Sequence, residues 1–236
     1  MKIAIMQPYF FPYLGYFSLI KQTDKFILFD NVQFIKHGWI ERNRILKPSN
    51  GWQYVAIPLI KHSRNTKIKD ILINNEIDWR DKILRQLEHY KKRAPFYSET
   101  VDVIRKALDI ETPSIVKLNE NIIKKVCEYI NINIDISVFS ETDLKIEKPN
   151  APDEWALNIC KTLENVEEYM NPEGGLEFFN REKYEKEGIM ISFLKINISQ
   201  YSQRRQEFEA GLSIIDVMMF NEPTKINNML DDYELL

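Results

Sequence analysis

The stretch from residue 2 to residue 29, KIAIMQPYFFPYLGYFSLIKQTDKFILF, decides the fold. Its two ends, KIAIM (2–6) and KFILF (25–29), are short apolar runs bounded by polar or turn-forming residues, the pattern of strands buried on both faces of a sheet. Between them, residues 14–22 suffice for one short helix. Strand, helix and strand at this spacing make a compact βαβ unit, with parallel strands and a right-handed crossover. Gln7-Pro8 ends the first apolar run after four residues, too few for the apolar region of a secretory signal. No window approaches the length of a membrane-spanning helix, so a cytoplasmic protein with no membrane partner is expected.

Outward from this unit the pattern keeps alternating. Further strands are expected at 54–59, 68–73, 136–139, 166–169 and 189–193. Apolar residues recur at helical spacing over about 78–131, giving a helical cluster. Amphipathic helices are also expected at 155–163 and 181–187, from Ser213 to Phe220 behind a capping serine, and from Pro223. A polar connection covers 140–153, and the turn NPEGG covers 171–175. The expectation is one α/β domain over 1–236, a Rossmann-like, mainly parallel sheet with helices beside it.

Bulk properties narrow the chemistry. The chain has 236 residues, 44% of them hydrophobic, enough for a substantial core. Lys and Arg total 32 against 35 Asp and Glu, a net charge of −3, so nothing draws the whole molecule to DNA or to an anionic membrane. Any anion site must be local. Cys127 and Cys160 fall in helical patterns and read as core thiols rather than a disulfide. His37, His62 and His89 are dispersed, and no HExxH or CxxC occurs, so no metal site is expected. GxSxG, Walker and GxGxxG motifs are absent, which disfavours the usual serine hydrolase, P-loop and dinucleotide readings.

Ligands of open α/β sheets bind beyond the carboxyl ends of the strands. Gln7 stands at the tip of the first strand, Gly15 permits close backbone approach, and the helix that follows would aim N–H groups at an anion. Asp30 ends the second strand, where a carboxylate can act as general base or hold a hydroxyl or amine. Beyond it lie Asn31, Lys36, His37, Trp39, Arg42, Asn43 and Arg44, of which Lys36, Arg42 and Arg44 would clamp phosphate. The basic stretches at 90–97 and 201–206 offer two further lips. A plainer reading stands beside each of these: a stiffened aromatic turn packed on helices, and solvated charges on a loop or edge strand.

Six stretches, MQPYFFPYLGYF, FDNVQFIKHGWIERNRI, IPLIKHS, WRDKILRQLEHYKKRAPFY, NPEGG and LSIIDVMMFNEP, together resemble the WbqC-like family of bacterial proteins, encoded with O-antigen and other surface polysaccharide genes. The resemblance implies lipopolysaccharide and nucleotide-sugar biosynthesis, with glycine transfer to the amine of a nucleotide-linked dideoxy amino sugar. The donor it implies is an aminoacyl-tRNA, a thioester, or an amino acid activated by ATP. On that reading Asp30 binds or deprotonates the amine, and N–H groups around Gly15 with Gln7 or Asn31 stabilise the oxyanion. Lys36, Arg42 and Arg44 hold the diphosphate, while Tyr9, Tyr13, Tyr16, Trp39 and Asn43 line the substrate. Residues 11–16, FPYLGY, are also similar to the PxHxGH signature of nucleotidylyl transferases and pantothenate synthetase-like ligases, with Tyr13 and Tyr16 in place of histidines. Phenols stay neutral near pH 7, so they would not supply an imidazolium charge. An ATP-dependent amide ligase or nucleotidylyl transferase remains an alternative, as does a non-catalytic binding protein of a polysaccharide locus.

Overall fold

The computed structural model describes all residues from 1 to 236. β1 (Lys2–Met6), α1 (Leu14–Lys21) and β2 (Lys25–Leu28) form the expected unit, with the two strands parallel and Ile3 opposite Lys25. The chain then makes a separate antiparallel hairpin of β3 (Arg42–Leu46) and β4 (Trp52–Ala56). Three helices follow: α2 (Trp79–Leu87), α3 (Tyr97–Leu108) and α4 (Ile115–Tyr129). Asp78 and Ser114 cap α2 and α4 by accepting from the N–H groups of Asp81 and Lys117. After these come β5 (Asp135–Val138), α5 (Glu154–Thr162), β6 (Glu168–Pro172), α6 (Arg181–Lys186) and β7 (Met190–Ile196). The chain ends with α7 (Ile214–Phe220), α8 (Pro223–Met229) and β8 (Tyr233–Leu235). No helix is long and apolar enough to cross a membrane.

The six-stranded sheet runs β5-β2-β1-β6-β7-β8, parallel except for β8. Numbered among themselves, these strands have the order 3-2-1-4-5-6 of a doubly wound Rossmann-like fold. The chain winds outward from β1 to β5, then returns to the other side of β1 and winds out again. The topological switch point therefore lies between β1 and β6.

Both faces of the sheet are covered, which is why its strands read as continuous apolar runs. Alternate residues point to opposite faces. Ala4, Phe26, Leu28, Met170 and Leu194 join the larger core, with α1, the α2–α4 helices and α7. Ile3, Ile5, Ile27, Tyr169, Ile191 and Phe193 join a smaller core under α5 and α6.

Several expectations were displaced. The strand expected at 68–73 is a single 3-10 turn, Ile68–Asp70, followed by isolated bridges from Leu72 to Ser114 and from Ile73 to Leu59. Two partners on different segments leave no ladder to extend. The strand expected from residue 54 to 59 starts at Trp52 and stops at Ala56, and Pro58 behind it lacks an N–H for pairing. The strand expected at 166–169 instead runs from Glu168 to Pro172, so Asn171 and Pro172 belong to β6 and the turn begins at Glu173.

Candidate functional site

The segment joining β1 to α1 is held almost atom by atom. Tyr16 donates its hydroxyl to the carbonyl of Gln7 at 2.9 Å, and Asn119 of α4 donates to that of Pro8 at 2.8 Å. Asn43 of β3 donates to the carbonyls of Phe10 and Phe11 at 3.1 and 2.8 Å. Ser213 also donates to Phe11, at 2.7 Å, and the N–H of Ile214 to Pro12 at 2.8 Å. Phe11 has a φ of +38°, a conformation that costs a non-glycine residue of the order of 1 kcal/mol or more, and it is fully buried at the meeting point of these donors. Phe10, Phe11, Tyr16 and Phe17 pack into the larger core. The crowded rings therefore fix the loop, leaving Tyr9 and Tyr13 half-buried at its open side.

Three adjoining clefts open around this floor. The central one, about 790 Å³, lies at the switch point and is lined by Gln7, Tyr9, Trp155, Tyr169, Asn171 and Phe178 among others. Met6, Tyr9, Pro172 and Gly174 are shared with a cleft of about 450 Å³ that adds Tyr13, Trp39, Arg44 and Glu173. On the other side Gln33 and Ile35 are shared with a cleft of about 860 Å³ that adds Lys36, His37, Arg42, Tyr54, Lys61, His62 and Arg64. The three clefts thus follow one another from the hairpin to the switch point, and the central one is aromatic.

The structure divides the residues that the sequence grouped. Gln7, Tyr9, Tyr13, Tyr16, Trp39, Asn43 and Arg44 border the central and adjoining clefts, while Lys36 and Arg42 lie in the third. The single phosphate clamp of Lys36, Arg42 and Arg44 is therefore split. Arg42 stacks on Tyr54, 3.9 Å from the ring centroid, and donates to the carbonyl of His37. Arg44 sits 5.5 Å from the Trp39 ring and 5.2 Å from that of Trp52, and donates to the carbonyl of Gly211. His37 and His62, far apart in sequence, share the third cleft.

Other assignments change role. Asp30 is 1% exposed and accepts from the N–H and the hydroxyl of Ser140, at 3.0 and 2.6 Å. Burial raises its pKa, against those two hydrogen bonds, but its carboxylate ties the end of β2 to the turn after β5 and borders none of the three clefts. Asn31 accepts from Lys67 at 2.8 Å. The side chains of Asn43 and Tyr16 are committed to the loop carbonyls. Burial holds the phenols of Tyr9, Tyr13 and Tyr16 above their ordinary range, so each stays protonated; the carboxylate of Glu173 adds to the effect at Tyr13.

Gly15 does not open a path to the N-terminus of α1. A Cβ there would lie 2.6 Å from the ring of Tyr13, which roofs the first turn of the helix. Glycine is needed to admit that ring rather than a ligand. Two groups that the sequence reading did not single out complete the crevice. Glu173 supplies an exposed carboxylate directly after β6, beside the switch point. Lys61 and Arg64 supply cations that no sequence spacing links to Lys36 or Arg42. An acidic residue between a strand and two glycines was the available signal for Glu173.

No solved structure matches the chain. It is 28% identical over 223 residues to Rv1507c of Mycobacterium tuberculosis, described as an uncharacterized protein, with 93% of each chain covered. The model of the WbqC-like protein family matches residues 7–228, which takes in the pinned loop, the hairpin, the turn at Glu173 and α7. With nearly its whole length matched, the chain belongs to the WbqC-like protein family.

Proposed function

We propose that this protein is a transferase of bacterial surface polysaccharide biosynthesis that places a glycyl-type aminoacyl group on the amine of a nucleotide-linked dideoxy amino sugar. The observation that carries this reading is the switch-point crevice, in which one carboxylate, Glu173, shares a wall with Arg44 and an aromatic floor. A sugar amine is cationic near neutral pH and must lose a proton before it can attack. Glu173 binds the ammonium and takes that proton. The amine nitrogen then bonds to the donor's carbonyl carbon, the bond from that carbon to its carrier breaks, and the carrier leaves with the electron pair and takes up the second proton that the nitrogen sheds. Gln7 offers an amide donor to the developing oxyanion, and Arg44 faces the acceptor's phosphates. Tyr9, Trp155 and Phe178 give the sugar and base flat apolar surfaces. Family membership supports a biosynthetic enzyme.

The test is incubation of purified protein with nucleotide-linked 3- and 4-amino sugars and glycyl donors, read by mass. A sugar heavier by one glycyl group is expected, and Glu173→Gln should slow its formation roughly 100-fold or more, the usual scale for a lost proton acceptor. No product with any donor would sink the proposal.

A further inference from the structure

The third cleft concentrates positive charge in a chain that is negative overall. Lys36, Arg42, Lys61 and Arg64 line it, and none of the four is ion-paired. Its one acid, Glu41, is 7% exposed and turned inward, its carboxylate accepting from the N–H of His37 and lying 3.5 Å from the ring of the same residue. Arg42 is set in place by Tyr54 and by the carbonyl of His37, yet its buried Nε has no partner. His37 itself has a φ of +63°, so the rim is held in a conformation that most residues avoid. Unpaired cations and a guanidinium held in place by a ring and a carbonyl are the elements of a phosphate site.

We propose that this cleft is a second substrate site, which binds a compact phosphate ester carrying the group to be transferred. Its role as donor site rests on the transferase reading above; the binding does not. The cleft shares Gln33 and Ile35 with the switch-point cleft, so a ligand anchored here lies next to the acceptor. The cations gather within one concavity of about 860 Å³, and the molecule has a net charge of −3. That distribution suits a small di- or triphosphate better than a polynucleotide, whose binding draws on phosphate contacts spread along the strand. A nucleotide and a phosphopantetheine thioester share this chemistry.

The experiment is calorimetric titration of the full chain with ADP, with coenzyme A and with deacylated tRNA, in the absence of any sugar. Lys61 and Arg64 are exposed and their side chains bond to nothing within the chain, so the double variant Lys61→Ala/Arg64→Ala should fold normally, as circular dichroism would check. Saturable binding of ADP or coenzyme A is expected, weakened about ten-fold or more in the double variant and unchanged in Trp155→Ala, on the scale of charge-assisted hydrogen bonds. Which of the two small ligands binds identifies the source. Binding of tRNA alone, no saturable binding of either small ligand, or a loss in Trp155→Ala instead of the double variant would overturn the proposal. Turnover plays no part in the readout, so its outcome is separate from that of the sugar assay.

Discussion

Asn43 satisfies two buried carbonyls at once, and its Oδ1 accepts from the N–H of Arg44 at 2.8 Å. Asn43→Ala would strand those groups, with an expected cost of about 2–3 kcal/mol by urea denaturation. Gly15→Ala tests the opposite case. The added methyl meets only the outer edge of a half-buried ring, so Tyr13 swings aside and stability should change by less than about 1 kcal/mol, partly offset by alanine's better helix propensity. Binding of the amino-sugar nucleotide should nevertheless weaken, because the cleft wall moves; unchanged affinity would show that Tyr13 does not shape the site. At this scale the sequence located the loop but not its function. The rings and prolines are visible as a block, whereas the donors that explain them, Asn43, Asn119 and Ser213, stand far away in the chain and look like ordinary polar residues. The same holds for Asp30, whose place at a strand end was legible while its partner Ser140 was not.

Among the elements, the hairpin of β3 and β4 departs most from expectation. Residues 36–44 read as one phosphate clamp or as solvated charges on a loop or edge strand; Arg42 and Arg44 lie on a strand, two residues apart on the same face and about 6–7 Å from each other along it. Tyr54, opposite Arg44, turns its ring under Arg42, and the two guanidinium groups address different clefts. The buried strands of the main sheet were readable because both their faces are apolar; β8 is three residues long and mostly exposed, and gives no such run. A second device joins elements behind the hairpin. Asp216 of α7 is fully buried and accepts from Tyr90, Tyr201 and Gln203 at 2.7, 2.6 and 2.9 Å, while the Tyr90 hydroxyl accepts from the N–H of Leu46. Burial pushes the Asp216 carboxyl up to about 6, against those hydrogen bonds. Since the folded protein holds this proton more tightly than the unfolded chain does, the associated stability is complete below the ordinary carboxylate range and is lost as pH rises through about 6. The loss is on the order of 3 kcal/mol, and Asp216→Asn should flatten stability between about pH 4 and 6 in denaturant titrations.

For the molecule as a whole, the mainly parallel α/β class was legible in the first 29 residues and the alternation that follows them, whereas the order of the strands, and the hairpin's standing apart from the sheet, were not, because a βαβ start still leaves more than one topology. The net charge of −3 gives no sign of a local concentration of cations, which had to be found in space, because Lys36 precedes the hairpin, Arg42 opens it, and Lys61 and Arg64 follow it. A ligand that fills the crevice bridges both halves of the doubly wound sheet. An acceptor present at 100 times its dissociation constant should stabilise the fold by about 2.7 kcal/mol, and each kcal/mol should raise the melting temperature by about 2–4 °C in a chain of this size. Calorimetric scans with and without nucleotide-linked amino sugar would measure it.

The pinned loop also bears on how the protein comes to be made. Its carbonyls, at Pro8 and Phe11, wait for partners made later, in β3, α4 and the turn before α7. Contacts of such sequence separation form late and slowly. A nascent chain that has not yet delivered Ser213 holds the strand leading to the site but cannot complete the floor beneath it. Binding activity and protection of this loop from proteolysis should therefore emerge together, once Ser213 has been made, with no active fragment ending before that residue.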